Sequence, residues 1–236
     1  MTTDVTQLKK QAGEKAAEFV ASGMVVGLGT GSTAVYATRA IGQMLQDGRL
    51  QRILAIPTSD QTAREAREAG IPLTTFDDHP IIDVTIDGAD EIDPHLNLIK
   101  GLGGALLREK VVATASKRLI IIGDERKIVA KLGTRAPVPV EVIQFAQRPV
   151  CDFLTSLGAR VTLRRERNGE ERPFITDENN IILDCTFPQG IDDPAALAQT
   201  IIARPGVVEH GLFLNLATLA VVAAPDGIKI LKRSET

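Results

Sequence analysis

Between Asp87 and Asp93 the chain sets four carboxylates within seven residues, Asp87-Gly88-Ala89-Asp90-Glu91-Ile92-Asp93. It follows them with an ammonium on a glycine-rich turn, Lys100-Gly101-Leu102-Gly103-Gly104, that runs on to Glu109 and Lys110. Carboxylates so close repel one another, and burying them is costly unless something neutralises them. An active site supplies a reason: carboxylates to move protons, an ammonium to meet developing negative charge, and glycines that let backbone N–H groups approach a ligand. A second glycine turn, Gly27-Leu28-Gly29-Thr30-Gly31-Ser32-Thr33, lies where a strand gives way to a helix. Free N–H groups at a helix start favour anions, and Ser32 and Thr33 add hydroxyl donors. The two turns together point to a small phosphorylated substrate worked on by acid–base chemistry.

Each motif has a plainer reading. The first turn runs G-x-G-x-G, so it fails the GxGxxG dinucleotide fingerprint at the last glycine, and no P-loop is present; a tight turn capped by Ser32 explains it about as well as a phosphate site. Thr58-Ser59-Asp60-Gln61-Thr62 is largely accounted for by capping of the next helix. The acidic cluster does not follow the EF-hand order, and Glu91 and Asp93 fit a solvated loop, whereas Asp87 and Asp90 stand at the end of a buried strand. His79, His95 and His210 are scattered through predicted loops and are expected to be exposed, so no metal site is expected. Glu109 has Ala105, Leu106, Val112 and Ala113 at helical spacing, but Arg108 and Lys110 have similar neighbours, which leaves Glu109 one candidate base among several. Lys127, after a predicted strand, is either an anion ligand or a surface lysine. Arg164-Arg165-Glu166-Arg167 reads as the solvated face of a hairpin.

The elements that must position these residues alternate. Amphipathic helices are predicted at 4–21, 32–45, 61–69 and 105–115, and apolar strands at 24–28, 53–56, 81–86 and 119–122. Alternation of this kind marks an open, mostly parallel α/β sheet, which binds ligands outside the carboxyl ends of its strands. After Gly133 the texture changes. Pro137, Pro139 and Pro149 punctuate a segment leading to a helix at 147–157; strand–turn–strand pieces follow, with turns at Asn168-Gly169 and Asn179-Asn180. Asp193 then caps a helix that has Pro194 just inside it and ends at Pro205-Gly206. Residues 219–231 read as a hairpin returning to the first sheet. The expected organisation is a main α/β domain of residues 1–132 plus 211–236 with an α+β insert at 133–210.

Composition excludes several classes of function. At 236 residues, 44% hydrophobic and 24% charged, the chain is of ordinary globular type. A net charge of −3, 3% aromatics and no Trp argue against nucleic acid as a partner. No apolar run is long enough to span a membrane and no signal peptide opens the sequence, so a cytosolic protein is expected. Cys151 and Cys185 have neither metal nor redox spacing.

These motifs support a family resemblance over essentially the whole chain. GTGST at 29–33, TSDQT at 58–62, DGADEID at 87–93 and KGLGGALLREK at 100–110, with PVEVI at 139–143, TDENNIILD at 176–184, PGVVEHGLF at 205–213 and PDGIKIL at 225–231, resemble the A-type ribose-5-phosphate isomerases. The resemblance implies a Rossmann-like main domain, a smaller ferredoxin-like insert, a homodimer or homotetramer, no cofactor, and a sugar phosphate as the small-molecule partner. It matches Glu109 to the family's base and Asp87, Asp90 and Lys100 to its other polar catalytic groups. Thr30, Gly31, Ser32 and Thr33 match the substrate loop; Gly88, Ala89, Gly101, Leu102 and Gly103 fall in the substrate-binding turns; Lys127 and Lys9 match positions that bind the substrate or its phosphate. Leu102 stands where close relatives often carry glycine. The implied reaction is reversible aldose–ketose isomerisation through a cis-enediolate. A sugar-phosphate deaminase, a CoA transferase or a non-catalytic sugar-phosphate sensor would share the fold, but a sensor has no need of Glu109.

Overall fold

Apolar runs and amphipathic stretches alternate along the first half of the chain, and each becomes the element its period dictates. The computed structural model describes residues 4–166 and 172–233. In chain order it contains α1 (Val5–Ala17), β1 (Val25–Leu28), α2 (Ala34–Gln46), β2 (Leu54–Pro57), α3 (Asp60–Glu68), β3 (Val84–Gly88), β4 (Glu91–Ile92), β5 (Leu98–Ile99), α4 (Leu106–Thr114) and β6 (Leu119–Asp124). There follow β7 (Val138–Val142), α5 (Gln147–Ser156), β8 (Arg160–Leu163), β9 (Ile181–Thr186), α6 (Pro194–Ile202), β10 (Val207–His210), β11 (Leu212–Phe213), β12 (Leu219–Ala224) and β13 (Gly227–Lys232). The expected turn at Asn168-Gly169 lies outside the described residues.

The chain divides into two compact units, one of Met1–Ala89, Arg108–Ile128 and Asn215–Thr236, the other of Asp90–Leu107 and Val129–Leu214. The second unit thus takes in residues 90–107 as well as the stretch read as the insert from sequence. A three-stranded sheet of β11, β5 and β4 accounts for this: β5 is paired on both sides by strands of the second unit. Strands of two residues carry no periodicity, so this sheet left no mark in the sequence pattern.

In the first unit the sheet order is β13-β12-β6-β3-β1-β2, parallel throughout except for the β12–β13 hairpin. Strand order reverses between β1 and β3, the point at which a doubly wound sheet opens a crevice at its carboxyl edge. One face is apolar by strict alternation: Val26 and Leu28, Val84 and Ile86, Ile120 and Ile122, Val221 and Ala223 pack against Leu8, Ala12 and Ala16 of α1 and Ala37 and Ile41 of α2. Each Val, Leu or Ile among them, taken fully out of water, contributes about 1.5–3 kcal/mol. On the other face Val112 of α4 joins Val25, Ile56 and Ile82.

The second unit strings β7-α5-β8-β9-α6-β10 into an antiparallel sheet of order β10-β7-β9-β8, the ferredoxin-like arrangement. Val138, Val140 and Val142 face α5 residues Val150 and Leu154 in a core that also holds Ile201 of α6. Asp193 caps α6 by accepting from Ala196 N at 2.9 Å, with Pro194 at the first helical position. The proline-marked segment before α5 is in fact a central strand. Pro139 is accommodated within β7 because only its N–H is missing; its carbonyl accepts from Gly211 N at 2.7 Å.

Three expectations about polar residues are corrected here. Glu91 is fully buried, and its carboxylate accepts from the backbone N–H groups of Gly133, Arg135 and Ala136 at 2.6, 2.6 and 2.7 Å. Asp93 is 8% exposed and closes a turn by accepting from His95 N and Asn97 N, both at 2.8 Å. His210 is buried at the end of β10, where its Nδ1 accepts from Leu212 N at 3.2 Å.

Candidate active site

The first unit holds Asp87, Gly88, Ala89, the Gly29–Thr33 turn, Glu109, Lys9 and Lys127. Asp87 closes β3 at 1% exposure and faces away from the apolar layer, beside Thr85. A Cβ on Gly29 would collide with the Asp87 carboxylate, which is why β1 leaves the sheet on a glycine. Asp87 Oδ1 accepts from Gly88 N at 2.7 Å. Glu109 is 3% exposed on α4. The end of α4 meets the start of β3 through Ile82 N to Ala115 O at 3.0 Å, and Lys117 N returns to Ile82 O at 2.8 Å. The helix therefore runs against the strands, and its first turn lies toward their carboxyl edge. Glu109 is one turn N-terminal to Val112, whose Cγ1 stands where a Cβ on Gly27 would be 2.7 Å away. Residues three apart share a helix face, so Glu109 is turned to the sheet on the side of Asp87. That orientation separates Glu109 from Arg108, which instead reaches Asp60 at 2.7 Å, and sequence spacing alone could not make this distinction.

At the head of α2 the Thr33 N-cap makes no side-chain capping bond, so its hydroxyl is not used by the helix. Among the described residues, no backbone carbonyl accepts from the Ser32 or Thr33 N–H group. Ser32 Oγ accepts from Lys9 Nζ at 2.8 Å. The cause lies four residues further along both helices: a Cβ on Gly13 would come within 2.7 Å of that of Tyr36, so α1 and α2 touch there, running in the same direction. Thr30 is used differently. Its Oγ1 lies 2.7 Å from Thr58 Oγ1, 2.8 Å from Ser59 Oγ and 3.0 Å from Thr62 Oγ1, and Thr62 Oγ1 donates to Gly29 O at 3.1 Å. Ser59 also caps α3 by accepting from Thr62 N at 3.0 Å. The TSDQT motif is thus a cap, as expected, and also a buttress for the first turn. Lys127 is half-buried in the short 3₁₀ turn Glu125–Lys127 that follows β6, opened by Asp124; burial pushes the Asp124 carboxyl up, but its bonds to Arg126 hold it below its usual range.

The second unit holds Asp90, Lys100, Gly101, Leu102 and Gly103; the chain passes from one unit to the other between Ala89 and Asp90. Lys100 follows β5, is 2% exposed, and lays its ammonium 5.3 Å from the centre of the Phe213 ring. Its N–H donates to Gly211 O at 2.9 Å. Asp90 N donates to Ile99 O at 2.8 Å, and Asp90 Oδ2 accepts from Leu102 N at 3.0 Å. The backbone turns into left-handed conformation at Gly101 (φ 101°) and Gly104 (φ 91°), and a Cβ on Gly104 would strike the Phe174 ring. Leu102 has no positive φ, so this position needs no glycine. Arg164, read from sequence as part of a solvated face, is largely buried: its guanidinium grips Asp184 and donates from Nη1 to Gly101 O at 2.8 Å. Its neighbour in sequence gave no sign of this, because the partner carboxylate lies across the hairpin. Among the described residues no group of three or more His, Cys, Asp or Glu side chains is arranged to hold a metal ion, and no helix is long and apolar enough to cross a membrane.

Fold and candidate residues together define a doubly wound α/β protein joined to a ferredoxin-like unit, with acid–base side chains and glycine turns at the carboxyl ends of β1 and β3. Comparison narrows the class. The model of the family ribose 5-phosphate isomerase A (phosphoriboisomerase A) matches residues 54–227. A ribose-5-phosphate isomerase A of Roseiflexus castenholzii is 56% identical over 221 residues, covering 93% of both chains. A solved D-ribose-5-phosphate isomerase in complex with phospho-erythronic acid superposes with a TM-score of 0.95 at 41% identity, covering 98% of this chain and all of the other. The ribose 5-phosphate isomerase of Plasmodium falciparum gives 0.92 at 43% identity over 98% of this chain and all of its own. The chain belongs to the ribose 5-phosphate isomerase A family.

Proposed function

We propose that the protein interconverts D-ribose 5-phosphate and D-ribulose 5-phosphate through a cis-enediolate, with Glu109 moving the proton between C2 and C1. The observation that carries this reading is the buried Glu109 on the α4 face turned to the sheet, toward a strand end closed by the buried Asp87. Family membership supports it, and so does the phosphorylated acid bound by a relative of the same fold. The phosphate is assigned to the head of α2, where Ser32, Thr33 and Lys9 supply donors, with Lys127 as a further cation. Binding energy there orients the sugar carbons for the base. Asp90 or Asp87 handles the anomeric proton as the ring opens. Glu109 then removes the C2 proton, and Lys100 with the glycine N–H groups of its turn at 101 and 103 meets the charge that develops on the enediolate oxygen. Asp87 relays protons between O1 and O2, and Glu109 returns its proton to C1. The assignment includes no metal or organic cofactor, and a homodimer or homotetramer working in the cytosol.

The test is an assay of purified protein with ribose 5-phosphate in EDTA, following ketose formation. Ribulose 5-phosphate should appear at the rate seen without chelator. Absence of ketose, or an activity that EDTA abolishes and one divalent ion restores, contradicts the reading.

A further inference from the structure

We infer that Arg164, locked by Asp184, is a positioning residue that sets the peptide plane between Gly101 and Leu102 and through it the carboxylate of Asp90; the inference rests on the isomerase reading for what Asp90 does. The two polar groups of this one peptide are held from opposite ends. Its carbonyl, on Gly101, accepts from Arg164 Nη1 at 2.8 Å, and its N–H, on Leu102, donates to Asp90 Oδ2 at 3.0 Å. A peptide group is planar, so fixing the carbonyl direction fixes the N–H direction. Without that hold the Gly101 carbonyl keeps only the weaker constraint of the turn's own bond from Gly104 N, at 3.0 Å, and the plane turns more readily because it follows a glycine, the residue whose backbone is least restricted. Asp90 would then lose the backbone donor on its Oδ2.

The holding side chain is itself rigid. Arg164 lies just past β8, its N–H donating to Ile182 O at 2.9 Å, and its side chain is 11% exposed. Nε donates to Asp184 Oδ2 at 2.9 Å and Nη2 to Oδ1, a two-point grip that fixes the guanidinium in plane and leaves Nη1 directed at the carbonyl. A pair serving only to tie β8 to β9 is complete with the carboxylate contacts. The third bond goes to a carbonyl 63 residues away in sequence, on the turn that begins with Lys100. Lysine cannot reproduce this arrangement, since one ammonium has no fixed fork with which to hold carboxylate and carbonyl at once.

The experiment pairs steady-state kinetics with amide hydrogen exchange on wild type, Arg164→Lys and Arg164→Ala. Misplacement of a reacting group by about 1 Å costs on the order of a hundredfold, so kcat should fall by roughly tenfold to a hundredfold while KM, set by phosphate contacts in the other unit, changes little. The Leu102 amide should exchange faster in both variants, with Val140 in the core of β7 unchanged. If Arg164→Ala does not fold, Arg164→Lys carries the test by itself. Folded variants with kcat within about twofold of wild type, or with Leu102 exchange unaltered, overturn the inference. A wild-type protein inactive on ribose 5-phosphate instead removes the isomerase reading, and the exchange measurement still decides whether Arg164 holds the peptide.

Discussion

The molecule carries two glycine turns that look alike in sequence and are built in opposite ways. The turn at 29–33 is organised by what lies around the backbone. Its first glycine clears space for Asp87, a hydroxyl cluster anchors Thr30, and the chain then opens into α2 with the Thr33 hydroxyl unused for capping and Lys9 beside Ser32. The turn at 100–104 is held by side chains that grip the backbone itself: Asp90 on the Leu102 N–H, Arg164 on the Gly101 carbonyl, and Phe174 where a Cβ on Gly104 would fall. An N–H-rich helix start is suited to bind a fixed charge, whereas a constrained turn is suited to hold Asp90 and the following side chains at defined points. Under the proposed function, ground-state binding falls to the first turn and rate to the second.

That assignment can be broken in several places. Lys100→Ala should have the largest effect of the turn variants, lowering kcat about 10²–10³-fold, the typical cost of one donor to a developing oxyanion, with a modest change in KM. An effect confined to KM would move Lys100 to ground-state binding and erase the contrast. Ser32→Ala with Thr33→Ala should do the reverse, raising KM for ribose 5-phosphate by tenfold or more with kcat little changed. Two hydrogen bonds to a charged group are worth roughly 3–6 kcal/mol at most, and an unaltered KM would place the phosphate elsewhere. Gly104→Ala should act mainly on stability. A left-handed φ costs a non-glycine residue about 1–3 kcal/mol, here with displacement of Phe174 added, and for a chain of this size each kcal/mol lowers Tm by about 2–4 °C. Thermal unfolding measures it directly; a Tm equal to wild type would mean that the second turn is less constrained than its contacts require.

How much of this was legible in the sequence follows from the range of each interaction. The sheet of the first unit announced itself because alternation and helical periodicity are local, and the cap of α6 was readable from Asp193-Pro194 alone. The acidic cluster was visible as a cluster, but its parts serve different ends. Glu91 looked solvated because the N–H groups that bury it come from residues 133–136, more than forty positions on. Arg164 was misread for the same reason, its partners lying 20 and 63 residues away, and β7 was passed over because prolines punctuate that segment. Leu102, read from the resemblance as standing in place of a glycine, has no positive φ and so needs none. Glu109 could not be singled out from Arg108 and Lys110 by its neighbours; the direction of α4 against β3 is what distinguishes it.

The central claim is that one buried carboxylate on α4 moves the proton, and Glu109→Gln tests it most directly. The amide preserves the size of the side chain, so KM and Tm should stay near wild type, while a group unable to accept the proton at neutral pH should lower kcat by ~10²–10⁴-fold or more. The measurement is the initial rate of ribulose 5-phosphate formation from saturating ribose 5-phosphate by the folded variant. A fall of at least a hundredfold with KM retained is the predicted result; turnover within about tenfold of wild type would show that Glu109 is not the base.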